Sequence, residues 1–139
     1  IDPLALSRGE TDTARLLEQA GPIEDMRGVL FYSTANPERV RAVQDKIGRW
    51  KAGELIENTL SELARALVER GIRKLVVAGG ETSGAVARKL GLKQMRVGPE
   101  IDPGVPWMLN LGDPQLLLSF KSGNFGAPDF FSKALDMAA

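Results

Sequence analysis

The sequence contains neither cysteine nor histidine. Disulfide frameworks, thiol nucleophiles and thiolate or imidazole metal sites are therefore excluded, and the commonest general base is missing. An excess of charge of one sign is also lacking. Lys plus Arg is 18 and Asp plus Glu is 18, so no long-range field draws the chain toward nucleic acid or an anionic membrane. No apolar run approaches the roughly 18 residues of a membrane span. No segment reads as a signal peptide.

What remains for chemistry is carboxylates, lysine, hydroxyls, backbone amides and any hard cation that oxygens can hold. The 139 residues fit one domain, 1–139, and a chain of this length buries about two-thirds of its unfolded surface. Apolar residues are 43% and charged residues 26%, which argues against wholesale disorder. Opening on Ile1-Asp2-Pro3 rather than methionine, the chain is expected to be a piece of something longer.

Hydrophobic period and turn chemistry give the order of elements. A helix is expected over Thr11–Ala20, capped by Thr11 or Asp12 and closed by Gly21-Pro22. Val29-Leu30-Phe31-Tyr32-Ser33 reads as a buried strand. Asn36-Pro37 opens a second helix, with Val40, Val43, Gln44 and Ile47 on one face and a break at Gly48. From Lys51 to Arg70, Leu55, Ile56, Thr59, Leu60, Leu63, Ala64, Leu67 and Val68 form one wide apolar stripe at a period near 3.6. Gly71 ends that helix, and Lys74-Leu75-Val76-Val77-Ala78 reads as a buried strand.

Downstream, Ala85–Leu90 reads as a helix after a glycine-rich turn, and Met95-Arg96-Val97 as a short strand. Asp102-Pro103-Gly104-Val105-Pro106 is turn chemistry. Trp107–Leu111 and Leu116–Lys121 read as a hairpin through Gly112-Asp113-Pro114. Asp129–Met137 closes the chain as a helix with Phe130, Phe131, Ala134 and Leu135 toward the core. Helix followed by apolar strand is an α/β rhythm. The expected fold is three-layer-like: a mostly parallel sheet flanked by helices, with a C-terminal hairpin.

Two loops are candidates for holding an anion. Gly79-Gly80-Glu81-Thr82-Ser83-Gly84 lies between a strand and a helix, where a helix N-terminus offers free N–H groups and partial positive charge. Gly79 and Gly80 allow positive φ and close approach of a ligand. Thr82 and Ser83 add hydroxyls, and Glu81 suits a magnesium or ribose contact. The alternative is an ordinary helix start after a tight turn, capped by Thr82 or Ser83; neither the P-loop nor the dinucleotide pattern is present. The second candidate is Lys121-Ser122-Gly123-Asn124-Phe125-Gly126. Here Lys121 can neutralise phosphate, the glycines allow close approach, and Asn124 offers donor and acceptor. A plain strand-to-helix loop is the alternative. The patch from Gly98-Pro99-Glu100 to Pro106-Trp107 is read as a structural turn with Trp107 in the core.

These stretches occur in order: Val77–Gly84, Gly98–Trp107 and Leu118–Gly126, with Asp129-Phe130-Phe131 behind them and Tyr32–Pro37 ahead. Together they resemble the C-terminal nucleotide-binding domain of the four-carbon acid sugar kinases, the 3-oxo-tetronate and threonate kinases, over roughly residues 28–136. The resemblance implies a cytoplasmic two-domain enzyme about three times this length. An N-terminal domain would bind the sugar acid, and this one ATP with Mg2+. The γ-phosphoryl group would pass to the terminal hydroxyl of a four-carbon sugar acid. By that similarity Gly80, Glu81, Thr82, Ser83 and Gly123 contact the nucleotide; Gly79, Lys121, Ser122 and Asn124 join them from the reading of the loops. The family's substrate domain and a further serine-containing nucleotide loop have no counterpart here. No residue is a convincing catalytic base, so the base is expected on the absent domain. Nucleic acid and membrane are not expected partners. Two other readings stay open: a non-catalytic nucleotide- or phosphometabolite-binding module, and a purely structural α/β domain.

Overall fold

A computed structural model describes residues 1–23 and 27–138. The chain divides into two compact units, Ile1–Leu63 and Ala64–Ala139.

The first unit is helical. The short α1 (Pro3–Ser7) is capped by Asp2, whose carboxylate accepts the Leu4 N–H at 2.9 Å. Of the two expected caps for α2 (Thr13–Ala20), it is Asp12 that accepts the Arg15 N–H, also at 2.9 Å, and Gly21 ends the helix at φ 72°. Asn36 caps α3 (Pro37–Ile47) through the Arg39 N–H, Pro37 takes the first turn, and Gly48 stops the helix at φ 83°. This is the expected logic of side-chain acceptor, preset φ and left-handed terminator. Of the face expected on α3, Val43 is buried and Val40 is exposed. The long α4 (Arg49–Glu69) begins directly after Gly48, two residues ahead of expectation. Ala52, Thr59, Ser61 and Leu63 are its buried positions in this unit, while Trp50 is 92% exposed.

The expected strand Val29–Ser33 does not form. Residues 28–36 carry no regular element, and Leu30 and Tyr32 are 61% and 59% exposed. An apolar β-prone run meets only half the condition for a strand; it also needs a ladder partner. Among the described residues, the strands that pair all lie between Lys74 and Lys121.

The second unit begins inside α4 and is built on a sheet. Its strands are β1 (Lys74–Ala78), β2 (Met95–Asp102), β3 (Val105–Asn110) and β4 (Leu117–Lys121), in the order β1-β4-β3-β2. Only β1 and β4 are parallel, in register from Lys74↔Leu117 to Ala78↔Lys121. The pairs β3–β4 and β2–β3 are antiparallel. The sheet is therefore mixed, not mostly parallel. One helical crossover, α5 (Gly80–Lys89), leads away from β1, and β2, β3 and β4 follow one another by tight turns that allow only antiparallel pairing. The C-terminal hairpin forms as expected, as β3–β4. A further hairpin joins β2 to β3 across Asp102-Pro103-Gly104-Val105, because β2 continues past Val97 through an irregularity at Gly98-Pro99 to Asp102.

Side-chain alternation sends the apolar residues of β4 to two cores. Leu117 packs, with Val76, against Ile101, Val105, Trp107, Phe130 and Ala134. Leu116 and Leu118 pack with Val68, Leu75, Leu90 and Phe120. The first core is closed by α6 (Phe130–Met137), the second by the end of α4 and residues at the end of α5. Phe130 and Ala134 are buried as expected, whereas Phe131 is 39% exposed. The Lys74 ammonium donates to the Ala138 carbonyl, tying β1 to the end of α6.

Candidate functional site

The parallel register of β1 and β4 puts their carboxyl ends side by side, Ala78 opposite Lys121. The chain leaves β1 at Gly79, whose N–H donates to the Lys121 carbonyl at 2.8 Å. Both candidate loops thus start from one point at the strands' carboxyl edge, the usual ligand crevice of an α/β sheet.

The first loop differs from expectation. Gly79–Gly84 is not an extended turn: α5 starts at Gly80, so Gly80, Glu81, Thr82 and Ser83 form its opening turn. Only Gly79 has positive φ, at 117°, a conformation costly for any residue with a Cβ. Gly80 and Gly84 are helical, so they do not delay the helix. No side chain caps α5, which removes Thr82 and Ser83 from the capping role. The Ser83 N–H closes the turn on the Gly79 carbonyl at 2.8 Å. Consequently the N–H groups of Gly80, Glu81 and Thr82 project from a helix start that no side chain satisfies. A Cβ added at Gly80 would meet nothing within 4 Å. Uncapped donors at a positive helix end, at a residue with no side chain of its own, suit a phosphate group. The Ser83 hydroxyl is buried and has no hydrogen-bond partner. Glu81 is exposed.

In the second loop, Lys121 ends β4. Its ammonium donates to the Ser122 carbonyl at 3.1 Å and lies 5.8 Å from the centroid of the Phe130 ring. Ser122, Gly123 and Asn124 are exposed, and a Cβ at Gly123 would also meet nothing within 4 Å. Gly126 turns the chain into α6 at φ 89°; a Cβ there would sit 2.9 Å from the Phe130 ring. Among the described residues no group of three or more acidic side chains could hold a metal ion. Glu81 is the one carboxylate in the opening turn of α5, so a cation would need phosphate oxygens to complete its shell.

The third patch does more than turn the chain. Trp107 is in the core as expected, 3% exposed. Asp102, at the end of β2, is 9% exposed; it accepts the Ala127 N–H at 2.7 Å and the Lys133 ammonium at 2.9 Å. The Ala127 hydrogen bond and then the Lys133 charge hold its carboxyl below the usual aspartate range, and Lys133 is raised in turn by Asp102 and by Asp129. Phe125 lies over Gly104: a Cβ there would stand 3.3 Å from the Phe125 ring. Sequence reading missed Asp102, Phe125, Ala127 and Lys133 as a group. The partners are up to 31 residues apart, so no local spacing announces them.

Comparison with known proteins bears on what this crevice receives. The family model described as nucleotide-binding C-terminal domain matches residues 1–131. A 3-oxo-tetronate kinase of Pseudomonas fluorescens is 50% identical over 139 residues, covering 100% of this chain and 32% of its own length. One from Cupriavidus necator is 51% identical over 136 residues, covering 97% of this chain and 31% of its own. Among solved structures, a Haemophilus influenzae protein matches 100% of this chain and 34% of its own at TM-score 0.92 and 33% identity. A Salmonella typhimurium protein described as a putative tRNA synthase matches 96% of this chain and 33% of its own, at TM-score 0.85 and 36% identity. The chain spans about a third of the length of the curated relatives it matches. None of its helices, among the described residues, is long and apolar enough to cross a membrane. By the extent of the family match and the identity of its relatives, the chain belongs to the nucleotide-binding C-terminal domain family.

Proposed function

We propose that residues 1–139 are the ATP-binding domain of a longer, cytoplasmic two-domain kinase that phosphorylates the terminal hydroxyl of a four-carbon sugar acid. The observation that carries this reading is the uncapped start of α5, open at Gly80 and joined to the second loop through the Gly79–Lys121 hydrogen bond. The names of the relatives supply the sugar-acid class.

In this reading the N–H groups of Gly80, Glu81 and Thr82 bind phosphate oxygens, with the Thr82 and Ser83 hydroxyls beside them. Ser122, Gly123 and Asn124 close over the nucleotide from the neighbouring strand. Lys121 neutralises charge by leaving its contacts with the Ser122 carbonyl and Phe130, contacts weak enough to exchange for a phosphate. Magnesium would supply charge neutralisation on the phosphates, with Glu81 within its hydration shell. Phosphoryl transfer asks mainly for positioning and charge neutralisation, which suits a domain that has no cysteine or histidine. The acceptor sugar acid and the group that orients its hydroxyl belong, in this reading, to the N-terminal domain.

The test is a titration of the chain with ATP, ADP, inorganic phosphate and sugar phosphates, followed by calorimetry. Preference for ATP and ADP over the others supports the reading. Equal binding of all phosphates would favour a generic anion site, and no binding at millimolar concentration would refute the nucleotide assignment. Mixing the chain with a separately expressed N-terminal portion, ATP and a panel of threonates, erythronates and 3-oxo-tetronates then tests for a phosphorylated product.

A further inference from the structure

The β2–β3 turn is not used by the function proposed above, yet three contacts tie it to the second loop, to the residue that follows it and to α6. Asp102 takes the Ala127 N–H at 2.7 Å. It also takes the Lys133 ammonium at 2.9 Å, drawing the first turns of α6 to the same carboxylate. The Phe125 ring packs over Gly104, where a Cβ would stand only 3.3 Å away. Gly104 itself sits at φ 77°, and its N–H is held by the Glu100 carboxylate at 3.1 Å. The turn is thereby fixed on one side and presents a nearly buried carboxylate on the other.

We infer that Asp102 is a positioning residue for the loop Ser122–Gly126: it holds the loop in its nucleotide-receiving shape from behind, without touching the nucleotide. This inference rests on the reading of that loop as part of the nucleotide site. The physical case is one of entropy and of a missing alternative. Ser122, Gly123, Asn124, Phe125 and Gly126 are all exposed, and two of the five are glycines, so the loop has little core to anchor it and pays a high ordering cost. Beyond the Phe125 N–H to Ser122 carbonyl turn at 3.3 Å, its anchorage is its two ends and one ring contact. Lys121 is fixed by the sheet. The other end is fixed by Ala127, whose N–H goes to Asp102, and by Gly126 against Phe130, and between the ends the Phe125 ring rests over Gly104. A carboxylate that accepts a backbone N–H and a lysine is stronger than a neutral acceptor and directional. A loop held before the ligand arrives spends less of its binding energy on ordering.

The experiment compares the wild-type chain with Asp102→Ala and with Lys133→Met, which removes only one of the two donors. Two readouts are taken on each folded protein well below its melting temperature: amide hydrogen exchange residue by residue, and ADP affinity. Asp102→Ala is expected to speed exchange across residues 122–127 by about tenfold or more, and to weaken ADP binding by about tenfold or more, the scale of one lost charge-assisted hydrogen bond. Exchange at the opening turn of α5, Gly80–Ser83, should not change. Lys133→Met should show the same pattern at smaller size, and it carries the test if Asp102→Ala does not fold. A residue with only a structural role would lower the melting temperature and leave both readouts unmoved, and that result overturns the inference. Loop exchange that accelerates without weaker ADP binding, in a chain whose wild type binds ADP, also overturns it. If the wild type binds no ADP, the nucleotide reading has failed; the exchange data then decide whether Asp102 still holds the loop.

Discussion

Replacing Gly80 by valine separates the ligand-binding role of the α5 start from its role in folding. A Cβ at Gly80 meets nothing within 4 Å beyond its chain neighbours and the helix's own backbone, and its φ lies outside the left-handed region. Neither overpacking nor backbone strain therefore opposes the change. Glycine in a helix is about 0.5–1 kcal/mol worse than alanine, and valine lies between them. Stability should consequently move by less than about 1 kcal/mol, a few degrees in melting temperature at most.

Binding should respond very differently. In the proposed site the isopropyl group would crowd a phosphate approaching the Gly80, Glu81 and Thr82 N–H groups, which no side chain caps. Hydrogen bonds to a charged group contribute about 1.5–3 kcal/mol each. Pushing a phosphate away from two of them amounts to about 3–6 kcal/mol, or roughly a hundredfold to ten-thousandfold in affinity. The assay is calorimetric titration with ADP and ATP, paired with thermal melts of both proteins. A folded Gly80→Val chain that binds nucleotide within about twofold of the wild type would refute the assignment of the phosphate to this helix start, since a change of that size is below the worth of one such bond.

The other predictions are these. Gly126→Ala should destabilise the second unit by about 2–4 kcal/mol, read by denaturant melts, because it combines a positive φ of 89° with a Cβ 2.9 Å from the Phe130 ring; a loss under half a kilocalorie would mean that Phe130 relaxes freely. Asp102 has a lowered folded-state pKa, with the Ala127 N–H, Lys133 and, across Lys133, Asp129 as its neighbours; its contribution is present above the unfolded aspartate value near about 4 and lost as pH falls through the lower folded value. Acid melts of wild type against Asp102→Asn should therefore converge as pH drops below about 4, and parallel curves would contradict that. If the resemblance to the sugar-acid kinases holds, a further nucleotide loop lies on the N-terminal portion, and the chain alone should bind ATP more weakly than about micromolar. It should also phosphorylate none of the four-carbon sugar acids, because in the proposed reading the acceptor site belongs to the N-terminal domain; product at ordinary enzymatic rates would refute this.

Much of this structure is visible in local chemistry. Asp12, Asn36-Pro37, Gly21, Gly48 and Gly71 mark helix ends because capping and left-handed termination involve only neighbours in sequence. The stripe along α4 and the loop at 121–126 are legible for the same reason. What escaped depends on distant partners. Val29–Ser33 has the composition of a strand but no ladder. Gly79–Gly84 looks like a loop because glycine lowers helix propensity, yet the register of β1 with β4 fixes Gly79 as the last non-helical residue. The group Asp102, Ala127 and Lys133 is assembled by the meeting of a hairpin tip with a helix start, for which the sequence carries no periodic signal.

Although the sheet is mixed, both candidate loops leave it at one edge, and the topology explains why. A crevice of this kind needs two parallel neighbours, so that two chains leave the sheet at the same edge and two loops can face one ligand. In an antiparallel neighbour pair, the carboxyl end of one strand lies beside the amino end of the other. The mixed order β1-β4-β3-β2 contains one parallel pair, β1 with β4, and hence one edge of this kind. Both candidate loops leave from that pair, and the Gly79 N–H to Lys121 carbonyl bond is the last rung of its ladder. The antiparallel strands serve a different end. Through the β2–β3 turn they bring Asp102 to the Ala127 N–H, just past the second loop, so the antiparallel part of the sheet meets the chain where it leaves the parallel pair.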